Sequence, residues 1–490
     1  MTATELGDVA PAQAAPDWRD WAQTRALVAG RWVEAADGAT IAVTDPACGR
    51  IVGRAPRLGP EAMREAIAGA ATALPAWRAR LPRERGDVLM EWRRLMLANA
   101  DALAALLTAE QGKPLADARA EILYGAEFVR WFAEEASRAY GQVIPSHLKG
   151  CKLTVQREPV GVAGLVTPWN FPSAMLARKA AAALAAGCTA VAVPSPETPF
   201  SALALARLAE EAGVPPGVLS VLSGDAEALV GEMCRHPEVR AVSFTGSTRV
   251  GRLIAAQCAP TLKRLTLELG GHAPFIVFPD ADLDGAAEAA AAAKFQTSGQ
   301  DCLAANRIYV HADIHDAFLA AFVAAARRLT SGPGGDLGPM TTRATFDKSA
   351  EHVADALAHG ARLVLGGVPA GNGLLFPPTV LAGVTPDMRI VREETFGPVA
   401  AVIPFTDEAA VVQAANDTEY GLVAYVFTRD LSRAHRVSDA LDYGMVAINT
   451  ARLTGAPIPF GGVKQSGLGR EGGSHGLEEF TELKYICLAL

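Results

Sequence analysis

No stretch of this chain is long and apolar enough to be read as a membrane span. The least polar run, Ala180 to Val193, is broken by Gly187 and Thr189 and stops at Pro194. A bilayer crossing needs roughly 20 apolar residues. Residues 1–16 lack a basic n-region and an apolar h-region, so they read as a disordered tail and not as a leader. Blocks of positive charge are also missing: 45 Lys and Arg against 53 Asp and Glu leave a net charge of −8, scattered along the chain. That excludes a nucleic-acid footprint and fits a soluble protein. The seven cysteines form no CxxC pair and no even framework. A disulfide scaffold is therefore excluded, and a reduced, cytoplasmic compartment is expected. The glycine fingerprint GxGxxG of doubly wound dinucleotide-binding folds is absent as well.

What is present is a long chain, 490 residues and 50% hydrophobic, with a mean hydropathy of +0.17. It can bury large cores and should divide into more than one domain. Long helical patterns cover Pro60 to Ala79, Glu84 to Glu110 and Pro114 to Tyr140. From Val162 the pattern becomes short apolar runs, each followed by a turn and a helix candidate: 162–166, 189–193, 217–222 and 239–244. Such repetition indicates parallel βαβ units. A second series begins at Ala273 and continues through 308–310, 362–365, 399–404, 423–427 and 445–449. The expected class is α/β, two parallel-sheet domains meeting near Glu268. The alanine run Ala286 to Ala293 reads as a tightly packed helix, since alanine is the best helix former.

Three segments carry chemistry. Cys302 ends Ser298-Gly299-Gln300-Asp301-Cys302, where backbone N–H groups can come free. Glu268 stands before Leu269-Gly270-Gly271, and Asn170 sits in the proline-stiffened loop Thr167-Pro168-Trp169-Asn170-Phe171-Pro172. A thiol, a carboxylate and an amide donor are the three parts of acyl-type covalent catalysis. Phe244-Thr245-Gly246-Ser247 ends a strand and opens a helix, a place that favours a phosphate. Taken in order, these motifs resemble the NAD(P)-dependent aldehyde dehydrogenase superfamily, from about Leu27 to about Tyr485.

The resemblance implies a Rossmann-like NAD(P)-binding domain over 17–139 and 158–267 and a catalytic domain over 268–465. It adds a β-arm for oligomerisation, with bridging segment, over 140–157 and 466–490, and hence a homodimer or homotetramer. It implies Cys302 as nucleophile, Glu268 as general base, Asn170 as oxyanion donor, and Lys179 with Glu471 as a proton-relay pair. Cofactor contacts would come from Thr167, Trp169, Ser195, Gly246, Ser247, Leu269, Glu394 and Phe396, the cofactor being NAD or NADP. Phe171, Arg178, Gln296, Asp301 and Phe460 would face the aldehyde substrate. No metal is expected: His311 and His315 are four apart but lack further ligands.

By texture the chain is most similar to succinate-semialdehyde dehydrogenases, in the segments 173–179, 429–433 and 461–470. Oxidation of a small semialdehyde to its acid is the expected reaction, with a neutral aliphatic or aromatic aldehyde as the alternative. Arg178 matches one arginine that grips the far carboxylate; buried in a funnel of Phe171 and Phe460, it would be costly without a partner. The second such arginine is Gln296 here, whose amide suits hydroxyl, keto or amide groups near the acidic end. The completing serine falls near Thr454-Gly455. Ala304 replaces a second cysteine, which excludes a disulfide with Cys302. In the cofactor domain Val193 replaces the usual ribose-binding lysine and Pro196 a frequent glutamate. One lost charged hydrogen bond is worth on the order of 1.5–3 kcal/mol, so cofactor choice does not follow from the family.

Other matches fail on context. Gly472-Gly473-Ser474-His475-Gly476 fits a serine-hydrolase elbow, but no histidine follows it to complete a triad. Asn416-Asp417-Thr418 fits a glycosylation acceptor without any sign of secretion. Glu268 argues against a CoA-acylating enzyme, and the intact Cys302, Glu268 and Asn170 set argues against a non-catalytic paralogue.

Overall fold

Two mixed sheets organise the molecule. The computed structural model describes residues 17–332, 334–369 and 373–490; the expected tail at 1–16 lies outside them. The first sheet has eight strands in the order Gly467–Leu468, Arg264–Glu268, Val239–Thr245, Val162–Thr167, Thr189–Pro194, Leu219–Val221, Ala26–Val28, Arg31–Val33. Its five central strands run parallel. Thr189–Pro194 is buried at every position, as expected for a strand covered by helices on both faces.

The chain leaves Val162–Thr167 to build one flank through Thr189–Pro194 and Leu219–Val221. It then returns to the other side of the same strand with Val239–Thr245. The strand order reverses there, and a crevice opens outside the C-terminal ends of the two strands, where doubly wound folds bind ligands. The second sheet has seven strands, Arg362–Leu365, Thr379–Ala382, Val399–Phe405, Ala305–His311, Ala273–Val277, Val423–Phe427 and Met445–Ile448, all parallel but the first. Arg264–Glu268 belongs to one sheet and Ala273–Val277 to the other, so Leu269 to His272 joins them. A third sheet pairs Thr481–Ala489, Cys151–Pro159 and Gln142–Ile144 in antiparallel fashion. Among the described residues no helix is long and apolar enough to cross a membrane.

Some elements differ from the sequence pattern. The helix read over Glu84 to Glu110 is two, Pro82–Ala98 and Ala100–Gln111. Asn99 breaks it: its Nδ2 donates to the Leu95 carbonyl at 2.8 Å, a local bond that competes with helix continuation. The strands Ala26–Val28, Thr40–Thr44, Ile51–Pro56 and Thr379–Ala382 carry too little apolar pattern to stand out. The alanine run does form a helix, Leu283–Phe295, with Ala286, Ala287, Ala290 and Ala291 buried on one face.

Helix Pro172–Ala186, which carries Arg178 and Lys179, lies against helix Leu115–Glu135 through Gly125. A Cβ there would be 3.2 Å from the Ala174 Cα and 3.3 Å from the Ala177 Cβ. Overpacking of this kind costs about 1–3 kcal/mol. Gly125→Val is expected to lower unfolding free energy by that amount in urea titration and to reduce turnover; wild-type stability in this variant would show the helices separate freely.

Candidate active site

The Cys302 loop is held in a conformation the sequence does not advertise. After helix Leu283–Phe295 the chain passes through Thr297 (φ 49°), Ser298 (φ 55°) and Gly299 (φ 70°), three successive left-handed residues. Non-glycine residues in this region cost of order 1–3 kcal/mol each and need external support. Ser298 Oγ donates to the Gly338 carbonyl at 2.7 Å, and the Gln300 side chain accepts the Thr341 N–H at 2.9 Å. A Cβ on Gly299 would be 2.3 Å from the Gly397 carbonyl oxygen.

The same loop presses on the segment that joins the sheets. A Cβ on Gly271 would be 2.1 Å from the Cys302 carbonyl oxygen, so only glycine fits. Gly271 N–H in turn donates to Glu394 Oε1 at 2.9 Å. The double glycine after Glu268 therefore has a packing reason.

A cavity of about 290 Å³ brings together Asn170, Phe171, Arg178, Glu268, Gln296, Asp301, Cys302 and Phe460. Asn170 Nδ2 donates to the Gln300 carbonyl at 3.0 Å, which fixes the amide against the Cys302 loop and leaves its second N–H. The Cys302 N–H meets no acceptor among the described residues. The site thus offers two donors for an oxyanion.

The sequence reading missed the support beneath Asn170. Lys113, buried, donates to Glu121 Oε2 at 2.6 Å and to the Asn170 carbonyl at 2.7 Å. Glu121 Oε1 accepts the N–H groups of Ser173 and Ala174 at 2.9 and 3.1 Å, capping helix Pro172–Ala186. Nothing in Gly112-Lys113-Pro114 signals this, because the partners are 8 and 57 residues away.

Burial dominates the electrostatics. Neither Glu268 oxygen has a hydrogen-bond partner among the described residues. Burial, with the charge of Glu471, pushes its carboxyl well above the usual range, while Arg178, Lys179 and Arg470 pull the other way. Burial and then the carboxylates of Asp301, Glu394 and Glu268 push the Cys302 thiol up, so the cysteine rests protonated. Glu471 binds the Lys179 ammonium and also Arg178 Nη2, the latter at 2.5 Å; Ser243 Oγ lies 2.9 Å from Lys179 Nζ and 3.1 Å from Glu471 Oε1. Burial depresses the Lys179 ammonium. It also works against the Glu471 charge, yet Arg178 and Lys179 hold that carboxyl below its usual range. Arg178, costly to bury without a partner, finds one within the protein. Its guanidinium is paired with Glu471 and stacked on Phe460 at 4.7 Å, although Nε and Nη1 remain without acceptors.

The remaining expected positions lie at the strand-end crevice. Thr167, Ser195, Gly246 with Ser247, and Leu269 each stand at or just beyond the C-terminal end of a parallel strand of the first sheet. Ser247 caps helix Thr248–Cys258, and the N–H groups of Thr248 and Arg249 have no acceptor among the described residues. These free donors suit a pyrophosphate. Glu394, its carboxyl raised to about 7 by burial, sits behind Gly270. Phe396 is left-handed (φ 56°) and meets Trp169 edge-on at 5.4 Å. Val193 is buried within the first core, and Ser195 donates to the Glu197 carboxylate, an acidic group the sequence reading passed over.

A partly exposed thiol and a buried carboxylate share one cavity at the strand ends of a doubly wound sheet, the arrangement of an oxidoreductase. The chain belongs to the aldehyde dehydrogenase family, whose model matches residues 32–486. It is 53% identical to an aspartate-semialdehyde dehydrogenase (non-phosphorylating) of Halomonas elongata, over 94% of this chain and 95% of the relative. It is 50% identical to a succinate-semialdehyde dehydrogenase [NADP(+)] of Escherichia coli, over 95% and 98%. A solved succinate-semialdehyde dehydrogenase from Burkholderia pseudomallei superimposes with a TM-score of 0.95 at 50% identity, covering 96% of this chain and 99% of the other.

Removing one partner of a buried ion pair costs about 3–5 kcal/mol. Lys113→Met is expected to destabilise the protein by that amount and to lower kcat more than it raises KM, since the Asn170 loop loses its brace. Chemical denaturation and steady-state kinetics on the same preparation check both.

Proposed function

We propose that the protein oxidises a small semialdehyde to the corresponding dicarboxylic or amino-dicarboxylic acid with NAD(P)+. The observation that carries this reading is the convergence of Cys302, Glu268 and Asn170 on one cavity beside the strand-end crevice. A bound NAD(P)+ supplies the hydride acceptor. Glu394, Phe396 and Trp169 would hold its nicotinamide end, Ser247 and the free helix N–H groups its pyrophosphate.

The Cys302 sulfur bonds to the aldehyde carbon as its proton passes to solvent water. Asn170 Nδ2–H and the Cys302 N–H hold the resulting oxyanion. Loss of hydride from that carbon leaves a thioester. Glu268, desolvated and raised in pKa, takes a proton from water as the water attacks, and the acid departs with Cys302 restored. Lys179 and Glu471, joined through Ser243, lead that proton away from Glu268.

An anionic far end is supported by the relatives, which act on aspartate and succinate semialdehydes. It is also supported by Arg178 Nε and Nη1, two nitrogens without acceptors among the described residues, at the cavity. Glu197, fixed by Ser195 beyond the second cofactor-domain strand, supports NAD over NADP. A carboxylate there accepts ribose hydroxyls and repels a 2′-phosphate. Exposed Val143, Leu483, Tyr485 and Leu488 on the third sheet support assembly into a homodimer or homotetramer. Seven unpaired cysteines suit a reduced, cytoplasmic setting.

Rapid mixing tests the assigned base. Glu268→Gln should give a burst of NAD(P)H near one equivalent and then a steady rate lowered by about a hundred-fold or more, because water activation is lost. Absence of the burst would move Glu268 to thiol activation instead. For the cofactor, kcat/KM with NAD should exceed that with NADP by about tenfold or more, roughly the 1.4 kcal/mol of one charge contact. Glu197→Gln should narrow the gap; an unchanged ratio would remove Glu197 from the ribose site.

A further inference from the structure

The turn that carries Glu394 and Phe396 is held from behind. Phe396 is left-handed, a conformation that a bulky residue keeps only where its surroundings enforce it. On one side Gly397 meets the Cys302 loop: its carbonyl oxygen would lie 2.3 Å from a Cβ on Gly299. On the other it meets helix Arg343–Ala358, because a Cβ on Gly397 would lie 2.1 Å from Ser349 Oγ. Ser349 and His352, three apart, share the buried face of that helix.

His352 supplies the polar contact in this packing. It is free of solvent and stands outside the cavity lining. Its Nδ1 lies 3.1 Å from Thr395 Oγ1 and its Nε2 lies 3.2 Å from Glu393 Oε2. One ring thus grips two residues that alternate along the chain with Glu394 and Phe396. Arg389 donates to both Glu393 oxygens, at 3.0 and 3.1 Å, and holds that carboxyl below its usual range. An ionised carboxylate can only accept, so Nε2–H donates to Glu393 and Nδ1 accepts the Thr395 hydroxyl. Burial, with the charges of Lys348 and Arg389, lowers the imidazole pKa against the pull of Glu393 and keeps this neutral tautomer. The Thr395 hydroxyl, in a residue that is itself buried, meets no other partner among the described residues.

We propose that His352 is a positioning residue for the cofactor: by fixing Thr395 and Glu393 it sets Glu394 and Phe396 in place for the nicotinamide end. The claim rests on the NAD(P) reading above. Glu394 and Phe396 flank Thr395 directly, so release of that hydroxyl loosens both. Through Gly397 the same turn bears on the bend at Gly299, which ties the cofactor side of the site to the Cys302 loop.

The test is binding, measured by titration calorimetry on cofactor-free wild type, His352→Leu and Thr395→Val. Each protein is titrated with whichever dinucleotide the wild type binds more tightly. Each is also titrated with ADP, or with 2′-phospho-ADP if that dinucleotide is NADP, which lacks the nicotinamide end. The ratio of the two dissociation constants is the readout, because general damage weakens both ligands alike. Both variants should weaken the dinucleotide about tenfold, the scale of one well-placed hydrogen bond, and leave the ADP ligand within about twofold. Thr395→Val exchanges one hydroxyl for a methyl and keeps the shape, so it decides the matter if His352→Leu does not fold. Equal weakening of both ligands by Thr395→Val, or no change in either, overturns the proposal and leaves the NAD(P) reading intact. Failure of the wild type to bind either dinucleotide overturns that reading as well.

Discussion

Contact between the Cys302 carbonyl and Gly271 is the constraint on which the site depends. Glu268 ends the last parallel strand of the first sheet, and Ala273 begins a central strand of the second. The few residues between them must join two sheets and also leave room for the Cys302 loop. Only a residue without a side chain allows the Cys302 carbonyl to approach as it does. Thiol and carboxylate therefore cannot drift independently, because one backbone contact fixes the register of both. The left-handed run through Thr297 and Ser298 is the strain that accompanies it, held by Ser298 on Gly338 and Gln300 on Thr341.

Around that contact the protein buries an unusual amount of charge. Lys113 with Glu121, and Glu471 with Lys179 and Arg178, are almost free of solvent. Buried pairs of this kind do little for net stability against an apolar alternative, but breaking one is expensive. Their use here is positional. The first pair braces the Asn170 loop and caps the helix that carries Arg178 and Lys179. The second sets the potential at Glu268, where negative Glu471 and positive Arg178 and Lys179 act in opposite directions on one carboxyl. Burial raises that carboxyl and the Cys302 thiol together.

Much of the fold was legible because parallel strands buried on both faces leave dense apolar runs, as at Val162 and Thr189. Short strands such as Ala26–Val28 and Thr379–Ala382 leave no such mark, and the break at Asn99 depends on a side-chain bond that composition does not reveal. Cys302, Glu268 and Asn170 could be picked out because glycines and prolines flank them. Arg178 was legible as a cavity residue, but its partner Glu471, nearly three hundred residues downstream, was not. Lys113, Glu121 and Glu197 sit in unremarkable local sequence.

By itself the sequence determined the α/β class, the family and the residue types available for covalent chemistry. Periodicity and turn chemistry are local, and they survive being read one segment at a time. Tertiary structure decided what those residues are in place to do. Whether a charge is spent or free depends on what the chain brings against it: Lys113 against Glu121, Arg178 against Glu471, and Ser195 against Glu197. Interaction energy between charges falls with distance and rises with burial, and both quantities exist only once the chain has folded.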